Sequence, residues 1–170
     1  MQQVAEFFKV SFKEFETAWK KMYPNVQPSL IEEIYSKIKL PSRATKGSAG
    51  YDFYLPTDIN LATNQTITFP TGIRVKIEEG WFLGVFPKSG LGFKYRLQLD
   101  NTVGIIDSDY YYSDNEGHIF VKLTNDSKHP KLLELKQGQS VCQGIFIPFG
   151  ITYNDNADGI RNGGFGSTSK

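Results

Sequence analysis

The sequence predicts a mainly β fold, a sandwich or barrel of short strands with two short helices before it and a glycine-rich tail after it. Three observations support this prediction. From Leu40 onward, short apolar stretches are separated by Gly, Pro, Asn and Asp, as is typical of all-β proteins. The helix-start signals are confined to residues 11–40. The 170 residues suffice for one domain, and a hydrophobic content of 39% can bury a core.

Two helices are predicted in the N-terminal part. Ser11 with Glu14, and Ser29 with Glu32, have the capping-box spacing, in which a hydroxyl and a carboxylate satisfy free amides at a helix start. We expect the helices to pack on the body through apolar stripes. A membrane-surface helix is the alternative, which the acidic residues among the lysines disfavour. The stripes are Phe12, Phe15, Trp19 and Met22, then Leu30, Ile31, Ile34, Tyr35 and Ile38.

Alternation of apolar and polar residues predicts the strands of the body. The alternating runs are Ile73, Val75 and Ile77, then Ile119, Val121 and Leu123, and residues 145–149 predict a further strand that ends near Pro148. Beyond Tyr153 the chain is polar and rich in glycine, so we expect a mobile tail. The predicted organisation is an extension at 1–40 packed on the body, a β body at 41–153 and an arm at 154–170.

The composition excludes several classes of protein. Nineteen basic and eighteen acidic residues leave a net charge of +1, so we expect neither nucleic acid nor membrane as a partner, while a small anionic ligand remains compatible. The longest apolar stretch is about half of the roughly 20 residues that a membrane span needs. No secretory signal is evident, which predicts a cytoplasmic protein. Cys142 is the only cysteine and is expected to be an inert core residue, and two histidines do not make a zinc site.

Common nucleotide-binding motifs are missing, since the chain has neither a P-loop nor a GxGxxG fingerprint. The segment 86–92 instead places Lys88, Ser89 and two glycines after an apolar strand. Glycine lets backbone amides approach an oxyanion, and the two side chains add a charge and a donor. The segment therefore suits phosphate, although a plain hairpin turn has the same composition.

Two aspartates stand beside apolar residues where burial is expected. Asp107 follows Ile105 and Ile106, and Asp52 lies between Tyr51 and Phe53. A buried carboxylate is costly unless it binds a metal, accepts hydrogen bonds or acts as a base. The two together could support a hydrated magnesium ion. A turn-capping role for Asp107 is the alternative.

A third constellation lies in the tail. Arg161 offers a guanidinium fork that suits phosphate, Phe165 offers a ring that suits a base, and the glycines between and after them would let the strip fold over both. A disordered chain end is the alternative.

In their order and spacing, these segments resemble the motifs of the homotrimeric dUTP diphosphatases, the dUTPases. Residues 138–143 resemble the fourth motif but have Ser140 where the family usually has arginine, and Lys88 replaces the arginine of the second motif. The other matching segments, between residues 41 and 169, are 49–52 for the first motif, 87–91 for the second, 104–110 for the third and 161–168 for the fifth.

The resemblance implies a jelly-roll subunit that forms a homotrimer with shared active sites. The implied reaction is the Mg²⁺-dependent hydrolysis of dUTP to dUMP and pyrophosphate. Such an enzyme keeps uracil out of DNA and supplies dUMP for dTMP synthesis. Asp107 is implied as the general base for the attacking water, and Asp52 as an outer-shell magnesium residue that acts through water. The implied substrate-binding residues are Lys88, Ser89, Gly90, Asn101, Gly104, Tyr110, Gln143, Arg161, Phe165, Gly166 and Ser167.

Within this set the resemblance gives several residues a specific role. The hairpin from Leu99 to Gly104 would hold the uracil, Tyr110 would lie under the sugar, and Phe165 would cover the base. Two rivals remain open. A dCTP deaminase-like enzyme would share the fold but attack the base, and a regulatory binding protein on the same scaffold would bind nucleotide without turnover.

Overall fold

The computed structural model describes residues 2–163. The α-helices are α1 (Phe12–Met22), α2 (Pro28–Ser36) and α3 (Ser89–Tyr95), and a 3₁₀ helix covers Ser108–Tyr112. The strands are β1 (Ala5–Lys9), β2 (Ser42–Arg43), β3 (Tyr51–Tyr54), β4 (Ile59–Leu61), β5 (Thr66–Pro70), β6 (Ile73–Ile77), β7 (Trp81–Pro87), β8 (Leu97–Leu99), β9 (Gly104–Ile106), β10 (Phe120–Asn125), β11 (Leu133–Leu135) and β12 (Ser140–Pro148).

The strands form four antiparallel sheets. The largest has the order β2-β3-β12-β7-β9, and a second has the order β5-β10-β8. Two smaller sheets pair β1 with β6 and β4 with β11. The mainly β fold that the sequence predicts is confirmed, but the described strands remain separate sheets and do not close into one barrel.

The main core lies between these sheets. Alternation places Ile73, Val75 and Ile77 of β6 inside, as predicted, because successive side chains of a strand point to opposite faces. Phe53 and Leu83 are among the other residues buried in this core. A second cluster forms around α1 and α2, where the predicted stripes bury Phe15, Trp19, Ile31 and Ile34 together with Val10. Leu30, which the second stripe includes, is instead 46% exposed in the first turn of α2.

The N-terminal part differs from the prediction in several places. In the capping box predicted at Ser11, the serine hydroxyl accepts the Glu14 N–H, but the Ser11 N–H donates to Glu116 and not to Glu14. Strand β1 was not predicted, although it pairs along its whole length with β6. The capping box at Ser29 is wrong, because α2 begins after Gln27 with Pro28 in its first turn. Proline suits the first helical position, since its missing N–H would have no partner there, and Ser29 consequently lies inside the helix.

Among the described residues, no helix is both long and apolar enough to span a membrane. Cys142 is a free, fully buried thiol on β12, as predicted.

Candidate functional site

A cavity of about 400 Å³ opens between the two larger sheets. Val85 of β7 and Ile106 of β9 form its wall on the five-stranded sheet, while Leu99 and Val121 line it from the three-stranded sheet. The walls are therefore largely apolar, which suits a ring-shaped ligand.

The turn between β8 and β9 forms one end of this cavity. Thr102 adopts a φ of 66°, and its N–H donates to the Leu99 carbonyl over 2.9 Å. Gly104 has little room for a side chain, because a Cβ there would lie 3.2 Å from the Cβ of Val85. Since β8 pairs with β10 whereas β9 pairs with β7, the segment is a corner between two sheets and not the predicted hairpin. Asn101 and Gly104 line the cavity as predicted.

Asp107 and Tyr110 come from the 3₁₀ helix that follows β9. Asp107 precedes the first turn and its side chain is 44% exposed, so the expected burial of this carboxylate is wrong. Ile105 before it is itself 53% exposed, which explains the failure of the argument from its apolar neighbours. Tyr110 is buried, its hydroxyl donates to the His118 carbonyl over 2.7 Å, and burial raises its pKa.

Arg161 reaches this helix from the C-terminal segment. Its Nη2 donates to Asp107 Oδ2 over 2.6 Å, and its guanidinium lies 5.9 Å from the centre of the Tyr110 ring. Nε is 3.0 Å from Asp109 Oδ1 but is not aligned for a hydrogen bond. A cation is thus held at the mouth of the cavity, beside the carboxylate of Asp107.

A second cluster forms on the neighbouring strands. Lys88 Nζ bridges Asp52 Oδ1 at 2.9 Å and Ser140 Oγ at 2.8 Å, and Gln143 Nε2 donates to the Pro87 carbonyl over 3.2 Å. The lysine thus contacts the serine that stands in place of the expected arginine.

The segment after Lys88 continues as a helix. Ser89 and Gly90 are exposed in the first turn of α3, so the plain hairpin considered for this segment is wrong.

The two clusters lie on opposite faces of the five-stranded sheet. Val85 and Gly104 are register partners and line the cavity. Asp52, Gln143 and Phe86 form the adjacent row across β3, β12 and β7. Paired side chains share a face and successive ones alternate, so this row points away from the cavity. Within one chain, the sheet separates the second cluster from Asp107.

Comparisons with known proteins agree on one family. A family model described as dUTPase matches residues 36–169. The deoxyuridine 5'-triphosphate nucleotidohydrolase of Lactococcus lactis subsp. lactis (strain IL1403) is 37% identical over 134 residues, covering 77% of this chain and 88% of that protein. The chain belongs to the dUTPase family. The enzyme of the same name from Actinobacillus pleuropneumoniae serotype 5b (strain L20) is 39% identical over 146 residues, 81% of this chain and 91% of that protein.

A solved structure supports the same assignment for this dUTPase. The crystal structure of dUTPase from Streptococcus mutans superposes with a TM-score of 0.59 at 35% identity, covering 69% of this chain and 90% of that one. The predicted family, its mainly β fold and its class of enzyme, a nucleotidohydrolase, are confirmed.

The structure of this dUTPase gathers some predicted site residues and leaves others apart. The first cluster contains Asn101, Gly104, Asp107, Tyr110 and Arg161, and the second contains Asp52, Lys88 and Gln143. Phe165, Gly166 and Ser167 lie outside the described residues.

Sequence reasoning missed two features of the site. Asp109 approaches Arg161, and its place two residues after Asp107 was the available signal. Val121 lines the cavity, and its place in an alternating run marked it as a wall residue. No group of three or more His, Cys, Asp or Glu side chains suited to a metal occurs between residues 2 and 163.

Proposed function

We propose that this dUTPase hydrolyses dUTP to dUMP and pyrophosphate. The observation that carries the proposal is the combination at one cavity of an apolar slot, a half-exposed carboxylate at its mouth and an arginine beside that carboxylate. The slot suits a base and sugar, and the polar mouth suits a triphosphate.

Base selection follows from the corner between β8 and β9. Backbone groups of residues 99–104 would read the uracil edge, which offers acceptor, donor and acceptor. Cytosine presents a donor at position 4 and would leave a buried polar group unpaired, which is a strong basis for discrimination. The tight approach of Gly104 to Val85 leaves little space for the methyl group of thymine. Tyr110 would lie under the deoxyribose and exclude a 2′-hydroxyl by lack of room.

Asp107 is the proposed general base. Its exposure leaves it accessible to water, and a carboxylate within hydrogen-bond reach can take a proton from a water that attacks the α-phosphorus. The bond from the α-phosphorus to the bridging oxygen breaks, and pyrophosphate leaves. Arg161 would move from Asp107 to the distal phosphate, to which a guanidinium can form paired charge-assisted hydrogen bonds.

The residues present fit Mg²⁺ only as a hydrated ion held chiefly by the substrate. Asp52 is a single carboxylate already paired with Lys88, and no carboxylate cage occurs in the described part of the chain. Mg²⁺ commonly keeps several waters and binds substrate phosphates with one or two carboxylates. Asp52 would then hold the ion through water, and the ion would offset charge on the leaving group. Lys88, Ser89, Gly90 and Gln143 would contact the phosphates directly.

A homotrimer with shared sites would unite the two clusters. Because the sheet separates Asp52 and Lys88 from the cavity of their own chain, a neighbouring chain would have to present them to that cavity. The same outer face carries apolar side chains, and a second copy of the chain would cover them. These side chains, none of them fully buried, are Phe82, Ile105, Ile145 and Ile147.

The arm at 154–170 would close over the bound nucleotide. Arg161 already contacts Asp107, so the chain that follows starts at the mouth of the cavity. Phe165 would cover the uracil, and Gly166 and Ser167 would contact the phosphates. Residues 1–40 and 41–153 would act as the packed extension and the catalytic body.

The deciding experiment measures pyrophosphate release from dUTP, UTP, dCTP and dTTP with Mg²⁺. We expect release from dUTP above all others. Ammonia from dCTP would instead support the deaminase, and tight dUTP binding without release would support the regulatory binding protein. Either result would overturn the proposal.

A further inference from the structure

Glu14 does not serve the helix start at which the sequence places it. The Oγ of Ser11 accepts the Glu14 N–H over 3.2 Å, as in a capping box. The reciprocal acceptor for the Ser11 N–H, however, is Glu116, at 2.8 Å. The Glu14 carboxylate is therefore available elsewhere, and its Oε1 lies 3.1 Å from Nδ1 of His118.

His118 is fully buried, and its hydrogen bonds define its tautomer. Nε2 accepts the Gly72 N–H over 2.9 Å, so the ring proton is on Nδ1 and donates to Glu14. Burial lowers the pKa of His118 to about 4, which keeps the ring neutral near pH 7. The imidazole thus connects α1 with the residues before β6 through two directed hydrogen bonds.

The backbone of His118 continues this network into the nucleotide cavity. Its carbonyl accepts the Tyr110 hydroxyl over 2.7 Å, and Asn115 Nδ2 donates to the same hydroxyl over 2.9 Å. Gly117 packs against the 3₁₀ helix so closely, at a φ of 70°, that a Cβ would lie 2.7 Å from the Tyr110 carbonyl oxygen. The position of Tyr110 therefore depends on where His118 is held.

We propose that Glu14 and His118 are positioning residues that hold Tyr110 beneath the sugar, so that helix α1 contributes to the selectivity for deoxyribose over ribose. The inference rests on the proposed function, since it assumes that Tyr110 faces the sugar of dUTP. A shift of Tyr110 would open space for a 2′-hydroxyl without removing any group that contacts the phosphates. Selectivity should therefore fall through the KM for UTP, while kcat with dUTP changes little.

The test compares kcat and KM for dUTP and UTP in wild type, Glu14→Ala and Glu14→Gln, with the thermal midpoint of each. We expect Glu14→Ala to lower the dUTP-to-UTP ratio of kcat/KM by about tenfold, the scale of a modest misplacement. Glu14→Gln keeps an oxygen that accepts from Nδ1 and should restore the ratio. Glu16→Ala is the matched control, because Glu16 lies on the same helix in an exposed pair with Lys20.

A second pair of variants tests the route to Tyr110. Tyr110→Phe keeps the ring but loses the hydrogen bond to the His118 carbonyl, so it should lower the ratio as Glu14→Ala does. The double variant Glu14→Ala/Tyr110→Phe should have the same dUTP-to-UTP ratio of kcat/KM as either single variant, because both substitutions break the same hydrogen-bond network. If Glu14→Ala does not fold, Glu14→Asp is the substitute variant. Its shorter side chain keeps the charge but moves the carboxylate away from Nδ1 of His118, so the dUTP-to-UTP ratio of kcat/KM should fall by the same factor.

Several results would overturn the inference. If Glu14→Ala lowers the thermal midpoint but leaves the dUTP-to-UTP ratio of kcat/KM unchanged, Glu14 and His118 have a purely structural role. The same conclusion follows if Tyr110→Phe leaves this ratio unchanged, or if the effects of the two substitutions add in the double variant. These outcomes leave dUTP hydrolysis by the wild type intact. Absence of hydrolysis by the wild type would refute the proposed function and this inference with it.

Discussion

The buried imidazole of His118 should make this protein sensitive to mild acid. Burial disfavours the charged ring and lowers its pKa from 6.5 to about 4, against the opposing attraction of Glu116. Below pH 6.5 the unfolded chain therefore binds a proton that the folded protein does not. The stability contributed by the neutral ring is present above about pH 6.5 and is lost as the pH falls toward 4.

The size of this loss of stability follows from the change in the pKa of His118 on folding. At about 1.4 kcal/mol per pKa unit, the displacement corresponds to about 3 kcal/mol in total, of which about 2 kcal/mol is lost between pH 7 and pH 5. Burial and the nearby Glu116 raise the pKa of Glu14, so protonation of Glu14 at lower pH offsets part of this loss, whereas, against the effect of burial, the hydrogen bonds from Ser11 lower the pKa of Glu116, whose protonation adds to it. The loss of about 2 kcal/mol from His118 is substantial beside the roughly 5 to 15 kcal/mol of a typical domain.

The assay is urea unfolding at pH 7 and pH 5, at one protein concentration, followed by tryptophan fluorescence. Trp19 is buried beside Phe15 and should report the transition. The comparison variant is His118→Gln, whose side-chain oxygen can accept the Gly72 N–H but does not titrate. We expect its stability to fall by about 1 to 2 kcal/mol less than that of wild type over this interval. His129→Gln serves as the control at the other histidine. Equal losses in wild type and His118→Gln would refute the reasoning.

The remaining predictions concern the site and the core. Asp107→Asn should keep the fold and dUMP binding but lower kcat for dUTP at least about 10²-fold, and near-normal turnover would remove Asp107 from the mechanism. If sites are shared between chains, refolding Asp107→Asn together with an inactive Lys88→Ala should restore roughly a quarter of the wild-type turnover, through mixed trimers that contain intact sites. Recovery no greater than the sum of the separate variants would place both clusters in one chain's site. Cys142 should not react with iodoacetamide in the native protein at pH 8 but should react in urea, because burial raises its pKa to about 12, and rapid native labelling would contradict this.

Where a structural feature depends on local pattern, the sequence was sufficient. The alternation of apolar and polar residues predicted strand β6 and the strand that contains Val121, because this two-residue period can be read directly from the sequence. The cap of α1 by Ser11 was likewise local, because donor and acceptor are three residues apart. The motif segments, whose residue types suit phosphate and base, identified the family that the comparisons then showed.

Where a feature depends on which distant segments meet, the sequence was not sufficient. Strand β1 has its partner in β6 about 70 residues later, and the second half of the Ser11 cap comes from Glu116, 105 residues away. Ile105 lies on an edge strand and is 53% exposed, so the apolar residues before Asp107 did not indicate that this carboxylate is buried.

What the sequence determined by itself is therefore the set of chemical groups, the periods of the strands and the family. Only the tertiary structure decided that Asp107 lines the cavity whereas Asp52 lies on the outer face of the five-stranded sheet, and that Glu14 reaches His118. The physical reason is that side-chain chemistry and backbone period are local properties, whereas the face, the partner and the burial of a group depend on the packing of segments far apart in the chain.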